Sequence, residues 1–145
     1  MPNRSVGQLV KNQTLYTATA EMSVAEAAAI MSAARVGALL VLQGGKLAGI
    51  FTERDALNRV LAVSRDAKKT HLSEVMTPDP LTVSSDMPFR SALFLMQDRG
   101  FRHVPVIDAK GTPIGIVSVR DALGPEMEEI EAAKGEHERI AEILG

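Results

Sequence analysis

The sequence predicts an α+β fold, an α/β sandwich, made of two similar β-α-β-β-α halves. The first observation is an internal repeat: Gly49 to Leu57 and Gly115 to Leu123 share the pattern Gly-Ile-apolar-Thr/Ser-x-Arg-Asp-Ala-Leu. The second is that the same order of predicted strands and helices precedes each copy. A repeat of about 66 residues is too long for a solenoid unit and suits a small α/β module. The chain of 145 residues therefore fits two pseudo-symmetric halves with a shared core.

The elements of the first half follow from its apolar pattern and its turn residues. Ser23 and Glu26 have the spacing of a capping box and open an alanine-rich helix. The uninterrupted apolar run 38–42 is typical of a buried strand, and Gly44-Gly45 predicts a tight turn to its partner. The predicted elements are a strand at 16–19, a helix at 23–34, strands at 38–42 and 47–51, and a helix at 53–63.

The second half repeats this order. Pro88 lies in the first turn of a predicted helix, where its missing N–H costs little. Pro105 interrupts a predicted strand and is expected at an edge or at an unpaired position, because proline cannot donate to a ladder. The predicted elements are a strand at 81–84, a helix at 88–99, strands at 104–107 and 114–117, and a short final helix.

Domain boundaries follow from polar and proline-containing stretches. Prolines in the stretch 76–80 exclude a regular helix there. Neither half could bury its sheet alone, so the halves are expected to pack face to face. The predicted boundaries are a first repeat at 6–64, a linker at 65–79, a second repeat at 80–124 and a C-terminal segment at 125–145.

The C-terminal segment 125–145 has no counterpart in the first half and is predicted to form an acidic amphipathic helix. Its apolar side opposes a dense set of glutamates, so it is expected to pack on its own module or on a twin subunit. The alternative is a helix that binds a partner. The residues of the apolar side are Met127, Ile130, His137, Ile140 and Leu144.

Composition excludes several classes of function. Hydrophobic residues make up 46% and charged residues 23% of the chain, as in ordinary globular proteins. A net charge of -2 and 3% aromatic residues give no basis for general binding to nucleic acid or to an anionic membrane. The chain has no cysteine, no apolar run of about 18 residues and no apolar signal core at its N-terminus. We therefore expect a cytoplasmic protein.

The sequence also lacks the motifs of the common enzyme classes. It contains no HExxH, no GxxxxGK[ST], no GxGxxG and no recognisable Ser/His/Asp set. His71, His103 and His137 are too scattered in the sequence to suggest a metal site. The expectation is a protein without catalysis, catalytic cofactor or metal. A DNA-binding regulator is a weaker alternative, since no basic recognition helix is present.

The repeated Thr/Ser-x-x-Asp motif after a strand has the chemistry of a ligand site. A carboxylate can accept two hydrogen bonds, which suits the paired 2′ and 3′ hydroxyls of a ribose. A hydroxyl and free N–H groups at a helix start favour a phosphate. Thr52 with Asp55, and Ser118 with Asp121, are therefore candidate contacts. The same spacing suits a capping box, so a helix cap without any ligand is the alternative.

These motifs resemble the CBS-domain family, and specifically a stand-alone tandem pair of CBS domains. The resemblance implies β-α-β-β-α units joined into one module, with adenosine-ligand clefts between the repeats and a flat, disc-like homodimer. It also implies sensing of AMP, ADP, ATP, NAD or S-adenosylmethionine, and no catalysis. The resemblance extends from about Val6 to Leu123 and rests on the stretches 36–41, 49–55, 76–78, 102–108 and 115–121.

Arg102 and His103 break the symmetry of the repeats, because glycine and alanine hold the matching positions of the first half. In the family this strand entry often faces phosphates, for which Arg offers a forked donor and His a charge that is tuned by pH. The alternatives are a solvated arginine and a histidine at a strand end. Arg54 and Arg120, beside the aspartates, are further candidates, with surface ion pairs as their alternative.

The resemblance implies two sites, each with residues from both repeats. We favour the site at Asp121, because it would gather Lys11, Arg102 and His103, with Tyr16 flanking the adenine. The residues of the favoured site are Lys11, Tyr16, Val36, Gly37, Arg102, His103, Ser118, Arg120 and Asp121. The residues of the second site, which would also include Arg102, are Thr52, Arg54, Asp55, Thr77, Leu81 and Phe101. As an alternative, the apolar members Val36, Leu81 and Phe101 are core residues.

The predicted function is regulatory. The module is expected to form a homodimer, to bind an adenosine-containing nucleotide between its CBS repeats, and to pass the occupancy to an unidentified partner protein. AMP is the favoured ligand, with ADP, ATP or NAD as other candidates. The alternative is a structural dimerisation module with degenerate ligand sites.

Overall fold

The structure, a computed structural model, describes residues 4–122 and residue 132. The predicted acidic helix at 125–145 lies, apart from residue 132, outside the described residues. The helices are α1 (Val6–Val10), α2 (Val24–Ala34), α3 (Glu53–Ala56, continued by a π-helix at Leu57–Leu61), α4 (Leu72–Val75) and α5 (Phe89–Arg99), with a 3-10 turn at Val119–Asp121. The strands are β1 (Thr17–Thr19), β2 (Ala38–Gln43), β3 (Lys46–Thr52), β4 (Thr77–Pro78), β5 (Val83–Ser84), β6 (His103–Ile107) and β7 (Pro113–Ser118).

The strands form two sheets, one for each half of the sequence. In the first sheet the order is β1-β2-β3-β4, with β1 parallel to β2 and the other neighbours antiparallel. In the second sheet the order is β5-β6-β7, with the same parallel and antiparallel pairings. The predicted α+β class and the repeated β-α-β-β order are therefore confirmed. The Gly44-Gly45 turn has a positive φ at both residues, as a two-residue hairpin turn requires.

Pro105 lies at an unpaired position, the second of the two expected alternatives, although β6 is the central strand of its sheet. Pro105 is opposite Ile116 of β7. On the other side, however, β5 pairs only with Val106 and Ile107, so Pro105 lies beyond the end of that ladder. A proline has no N–H to extend the pairing, and β5 is accordingly shorter than the predicted strand at 81–84.

Two short helices that the pattern did not predict are exchanged between the halves. Val6 and Val10 of α1 are buried in the core of the second repeat, with α5 and its sheet. Leu72 and Val75 of α4 are buried in the core of the first repeat, with α2 and its sheet. The helix α4 and the strand β4 both lie in the segment 65–79, which therefore contributes directly to the first repeat.

The two sheets pack against each other through a third apolar cluster. Ala38, Leu40 and Ile50 of the first sheet are buried there, and Ile116 of the second sheet packs against them. The predicted face-to-face packing is thereby confirmed. The cluster brings the end of β3 and the end of β7 to one cleft, where the Thr/Ser-x-x-Asp motifs lie. No helix in the described part of the chain is long and apolar enough to cross a bilayer.

The inter-sheet cluster gives the first testable prediction. Leu40 is fully buried, so Leu40→Ala should lower the free energy of unfolding by about 2–5 kcal/mol through lost burial and a residual cavity. Lys69, which is exposed and lies outside the cluster, is the control, and Lys69→Ala should change stability by less than about 0.5 kcal/mol. Urea titration measures both values. Equal losses in the two variants would contradict the assigned role of Leu40.

Candidate functional site

The first motif forms a capping box at the junction of β3 and α3. The Asp55 N–H donates to Thr52 Oγ1 at 3.2 Å, and the Thr52 N–H donates to Asp55 Oδ2 at 3.0 Å. Asp55 has a relative exposure of only 8%, and its Oδ1 lies 3.6 Å from Nε of Arg59. The predicted helix cap is therefore present. The same hydrogen bonds also fix the orientation of the Asp55 carboxylate, which binding of a ribose would require.

The second motif, at the junction of β7 and the 3-10 turn, is held less firmly. The Ser118 N–H donates to Asp121 Oδ2 at 2.8 Å, and Arg4 donates to the backbone oxygen of Asp121 at 3.0 Å. Among the described residues, Asp121 Oδ1 has no ion-pair or hydrogen-bond partner. In each aspartate, Oδ2 accepts a hydrogen bond from the N–H of the N-cap residue. The Oδ1 atoms differ, because that of Asp55 lies beside Arg59 and that of Asp121 has no such partner among the described residues.

The larger cavity, of about 590 Å³, lies between the repeats beside Asp55. Its volume is within the range of about 300–1,000 Å³ that is typical of small-molecule sites. The structure brings together all six residues that were predicted for the second site: Thr52, Arg54, Asp55, Thr77, Leu81 and Phe101. Leu81 is 40% exposed and therefore not a core residue, whereas Phe101 is partly buried against the core of the second repeat.

The charge lining this cavity is predominantly positive. Four arginines and two carboxylates line it, which leaves an excess of two positive charges when His103 is neutral. One carboxylate pairs with Arg59, and Glu53 pairs with Arg120 at 3.7 Å. Arg54 donates to the backbone oxygen of Gly100 at 3.0 Å. Arg102 is exposed and has no hydrogen-bond or ion-pair partner within residues 4–122, so its forked donors are available to an anion.

The smaller cavity, of about 200 Å³, lies beside Asp121. It is lined by seven of the residues predicted for the favoured site: Tyr16, Val36, Gly37, His103, Ser118, Arg120 and Asp121. Lys11, the exposed C-cap residue of α1, lines neither cavity, and Arg102 lines only the larger one. The structure therefore does not assemble the three cations on which the preference for this site was based, and the volume is below the usual range.

The two cavities share a wall formed by His103, Ser118 and Arg120. A Cβ atom on Gly37 would lie 2.9 Å from Glu53 Oε1 and 3.0 Å from His103 Nε2, so a side chain at this position would displace these groups. Burial lowers the pKa of His103, and the neighbouring arginines lower it further, although Glu53 and Asp121 oppose the shift. His103 is therefore neutral near pH 7.

Arg59 and Glu53 are site residues that the motif pattern did not single out. The signal for Arg59 was present, since it follows Asp55 by four residues and such pairs are neighbours on a helix. Glu53 could not be found in this way, because its partner Arg120 is in the other repeat. Among the described residues, no cluster of three or more His, Cys, Asp or Glu is placed to hold a metal ion.

The structure thus consists of two sheet-and-helix repeats in tandem that enclose a cleft between them. The sequence profile of the CBS domain matches residues 6–62 and 72–125. The chain therefore belongs to the CBS-domain family and carries a pair of CBS domains.

Known proteins agree with this assignment. A protein with CBS domains from Burkholderia ambifaria is 33% identical, with a TM-score of 0.77 over 89% of this chain and 95% of that one. The CBS-domain pair of protein MJ0100, solved with 5′-methylthioadenosine and S-adenosylmethionine, is 28% identical, with a TM-score of 0.72 over 81% and 95%. The mitochondrial CBSX3 of Arabidopsis thaliana is 36% identical over 125 residues, 83% of this chain, which spans 60% of that protein.

The lowered pKa of His103 gives a prediction for stability against pH. Below the usual histidine pKa of about 6.5, the unfolded chain binds a proton that partly buried His103 resists, so stability should fall as the pH decreases. His103→Gln should make the loss of unfolding free energy between pH 7.5 and 5.5 smaller than in the wild type. Urea titration at the two pH values measures it, with His71→Gln as the control. An unchanged loss in the His103 variant would contradict this role.

Proposed function

We propose that the protein is a regulatory module that binds an adenosine-containing nucleotide in the larger cavity. The observation that supports this most strongly is the composition of the cavity, in which a fixed, buried carboxylate of the first repeat faces arginines of the second. Asp55 would accept hydrogen bonds from the ribose hydroxyls, and Arg102 would bind the phosphate. Leu81 and Phe101 offer an apolar surface for the base.

The charge of the cavity supports a ligand that carries phosphate. The related pair of MJ0100 is solved with S-adenosylmethionine, whose sulfonium group is cationic. In this chain the excess of arginine at the cavity would repel a sulfonium and attract a phosphate. AMP is the favoured ligand, and ADP, ATP and NAD share its adenosine and phosphate groups.

Nucleotide binding in the cleft would regulate a partner protein through the arrangement of the two repeats. Occupancy of a cleft between two repeats favours the arrangement in which both walls contact the ligand, and a partner that recognises that arrangement responds. No catalysis is needed for this, and we place the module in the cytoplasm with an unidentified regulated protein as its partner.

A homodimer fits the exposed apolar side chains Leu57, Leu61 and Val63, which are 57%, 69% and 60% exposed.

A structural dimerisation module is the second candidate. It is favoured by one observation: each aspartate side chain accepts a hydrogen bond from the N–H of its own N-cap residue, Thr52 or Ser118, and so has a role without any ligand. Under this alternative the same exposed apolar residues form the dimer interface, and the cleft remains without a nucleotide.

A thermal-shift panel distinguishes the two candidates. AMP, ADP, ATP and NAD should raise the melting midpoint, whereas S-adenosylmethionine and GTP should raise it less or not at all. At about 100 times the dissociation constant, a ligand adds about 2.7 kcal/mol of stability, which corresponds to several degrees for a chain of this size. No shift with any adenine nucleotide at millimolar concentration would favour the structural module.

The two aspartates allow a matched test of which cavity holds the ribose. Asp55→Asn should weaken AMP binding by about tenfold or more, because a hydrogen bond to a charged group is worth about 1.5–3 kcal/mol. Asp121→Asn, at the equivalent position of the smaller cavity, should leave the affinity within about twofold. Isothermal titration calorimetry measures both, and circular dichroism checks the fold. The reverse pattern would move the ribose site to Asp121.

A further inference from the structure

Arg59 connects the buried carboxylate of the larger cavity to another wall of the same cavity. Its Nε lies 3.6 Å from Asp55 Oδ1. Its Nη1 donates to the backbone oxygens of Val75 at 3.2 Å and of Met76 at 3.0 Å. These residues lead directly into β4, where Thr77 lines the cavity. One guanidinium therefore fixes the relative position of a carboxylate and of the strand beside it.

The local backbone places Arg59 in this position. Arg59 lies within the π-helix Leu57–Leu61, whose wider turn is seen in the hydrogen bond from the Ala62 N–H to Leu57 O at 2.8 Å. Such turns occur mostly as single interruptions of α-helices, often at functional sites. Arg59 itself lines the cavity and is about half exposed, whereas Asp55 beside it is buried.

Both oxygens of Asp55 are held, and by different groups. Oδ2 accepts from the Thr52 N–H at 3.0 Å, and Oδ1 faces Arg59 at 3.6 Å. Two contacts on two oxygens define the plane of the carboxylate. Each carboxylate oxygen can accept about two hydrogen bonds, so both retain capacity for a ligand hydroxyl.

The sequence of the second repeat has no arginine at the position equivalent to Arg59. Arg59 lies two residues beyond the repeated motif, and the matching position after the second copy is Pro125, which carries no charge. Among the described residues, Oδ1 of Asp121 correspondingly has no partner. The two motifs therefore share a helix cap, and only the first also has a guanidinium that orients its carboxylate.

We propose that Arg59 is a positioning residue that orients the Asp55 carboxylate toward a vicinal diol, and that it thereby makes the larger cavity selective for ribose over 2′-deoxyribose. This inference rests on the proposed binding of a nucleotide at Asp55. It goes further, because it assigns the sugar selectivity to a residue outside the repeated motif and restricts that selectivity to one of the two cavities.

A merely structural role for Arg59 makes a different prediction. If Arg59 only braced the backbone at Val75 and Met76, its loss would weaken the binding of every nucleotide in the same proportion. The ratio of the affinities for AMP and 2′-deoxy-AMP would then remain that of the wild type. That ratio therefore separates orientation of the carboxylate from support of the wall.

The experiment measures dissociation constants of AMP and 2′-deoxy-AMP by isothermal titration calorimetry for the wild type, Arg59→Met, Arg59→Lys and Arg65→Met. Arg65 is the matched control, since it pairs with Glu74 at 2.5 Å and does not line the larger cavity. The wild type and the Arg65 variant should prefer AMP by about tenfold or more. Arg59→Met should reduce that preference to about twofold or less, and Arg59→Lys should give an intermediate value.

Each outcome decides a specific point. An Arg59→Met variant that binds AMP more weakly with the wild-type ratio would overturn the proposal and leave Arg59 as a structural brace. If Arg59→Met does not fold, the ratio for Arg59→Lys decides in the same way. A wild type that binds neither nucleotide would refute the proposed function, and this inference with it. A wild type that binds both equally would refute the ribose selectivity alone.

Discussion

The burial of two sheet faces against each other is the constraint on which the rest of the structure depends. Each sheet has one face covered by helices, α2 and α4 on the first sheet and α1 and α5 on the second, and one face that is covered by the other sheet. Leu40 and Ile50 meet Ile116 across this boundary. Because β3 and β7 both end at the same boundary, their strand-to-helix junctions open into one cleft. The cleft is thus a consequence of the packing that holds the halves together.

Within this symmetric frame, a few side chains make the two motifs unequal. Gly37 in the first repeat leaves room for Glu53 and His103, which a side chain at that position would displace. The second repeat has Arg102 and His103 at the matching strand entry, and both line the larger cavity. Positive charge is therefore concentrated beside Asp55, where an anionic ligand would be attracted most strongly.

Much of the fold follows from local patterns in the sequence. The apolar run of β2, the Gly44-Gly45 turn and the capping spacing each involve a few neighbouring residues, and the repeat indicates the same order in the second half. These signals therefore predicted the order of strands and helices along the chain. The packing of α1 and α4 on the opposite repeats could not be predicted in this way, because it depends on contacts between distant segments. Lys11 follows α1 directly, so its position depends on where α1 packs. For this reason its predicted place in the Asp121 site could not be checked from the sequence. All six residues predicted for the Asp55 cavity line it. Thr52, Arg54 and Asp55 lie in the repeated motif, and the family resemblance implied the other three. Arg59 was found only from its contacts.

We propose that the cleft at Asp55 binds the nucleotide. The most direct test is a crystal structure of the protein grown with AMP. We expect one nucleotide per chain in the larger cavity, with ribose hydroxyls within about 3.2 Å of the Asp55 carboxylate and the phosphate beside Arg102. A nucleotide bound at Asp121 with the larger cavity empty, or an empty cleft at saturating AMP, would contradict it.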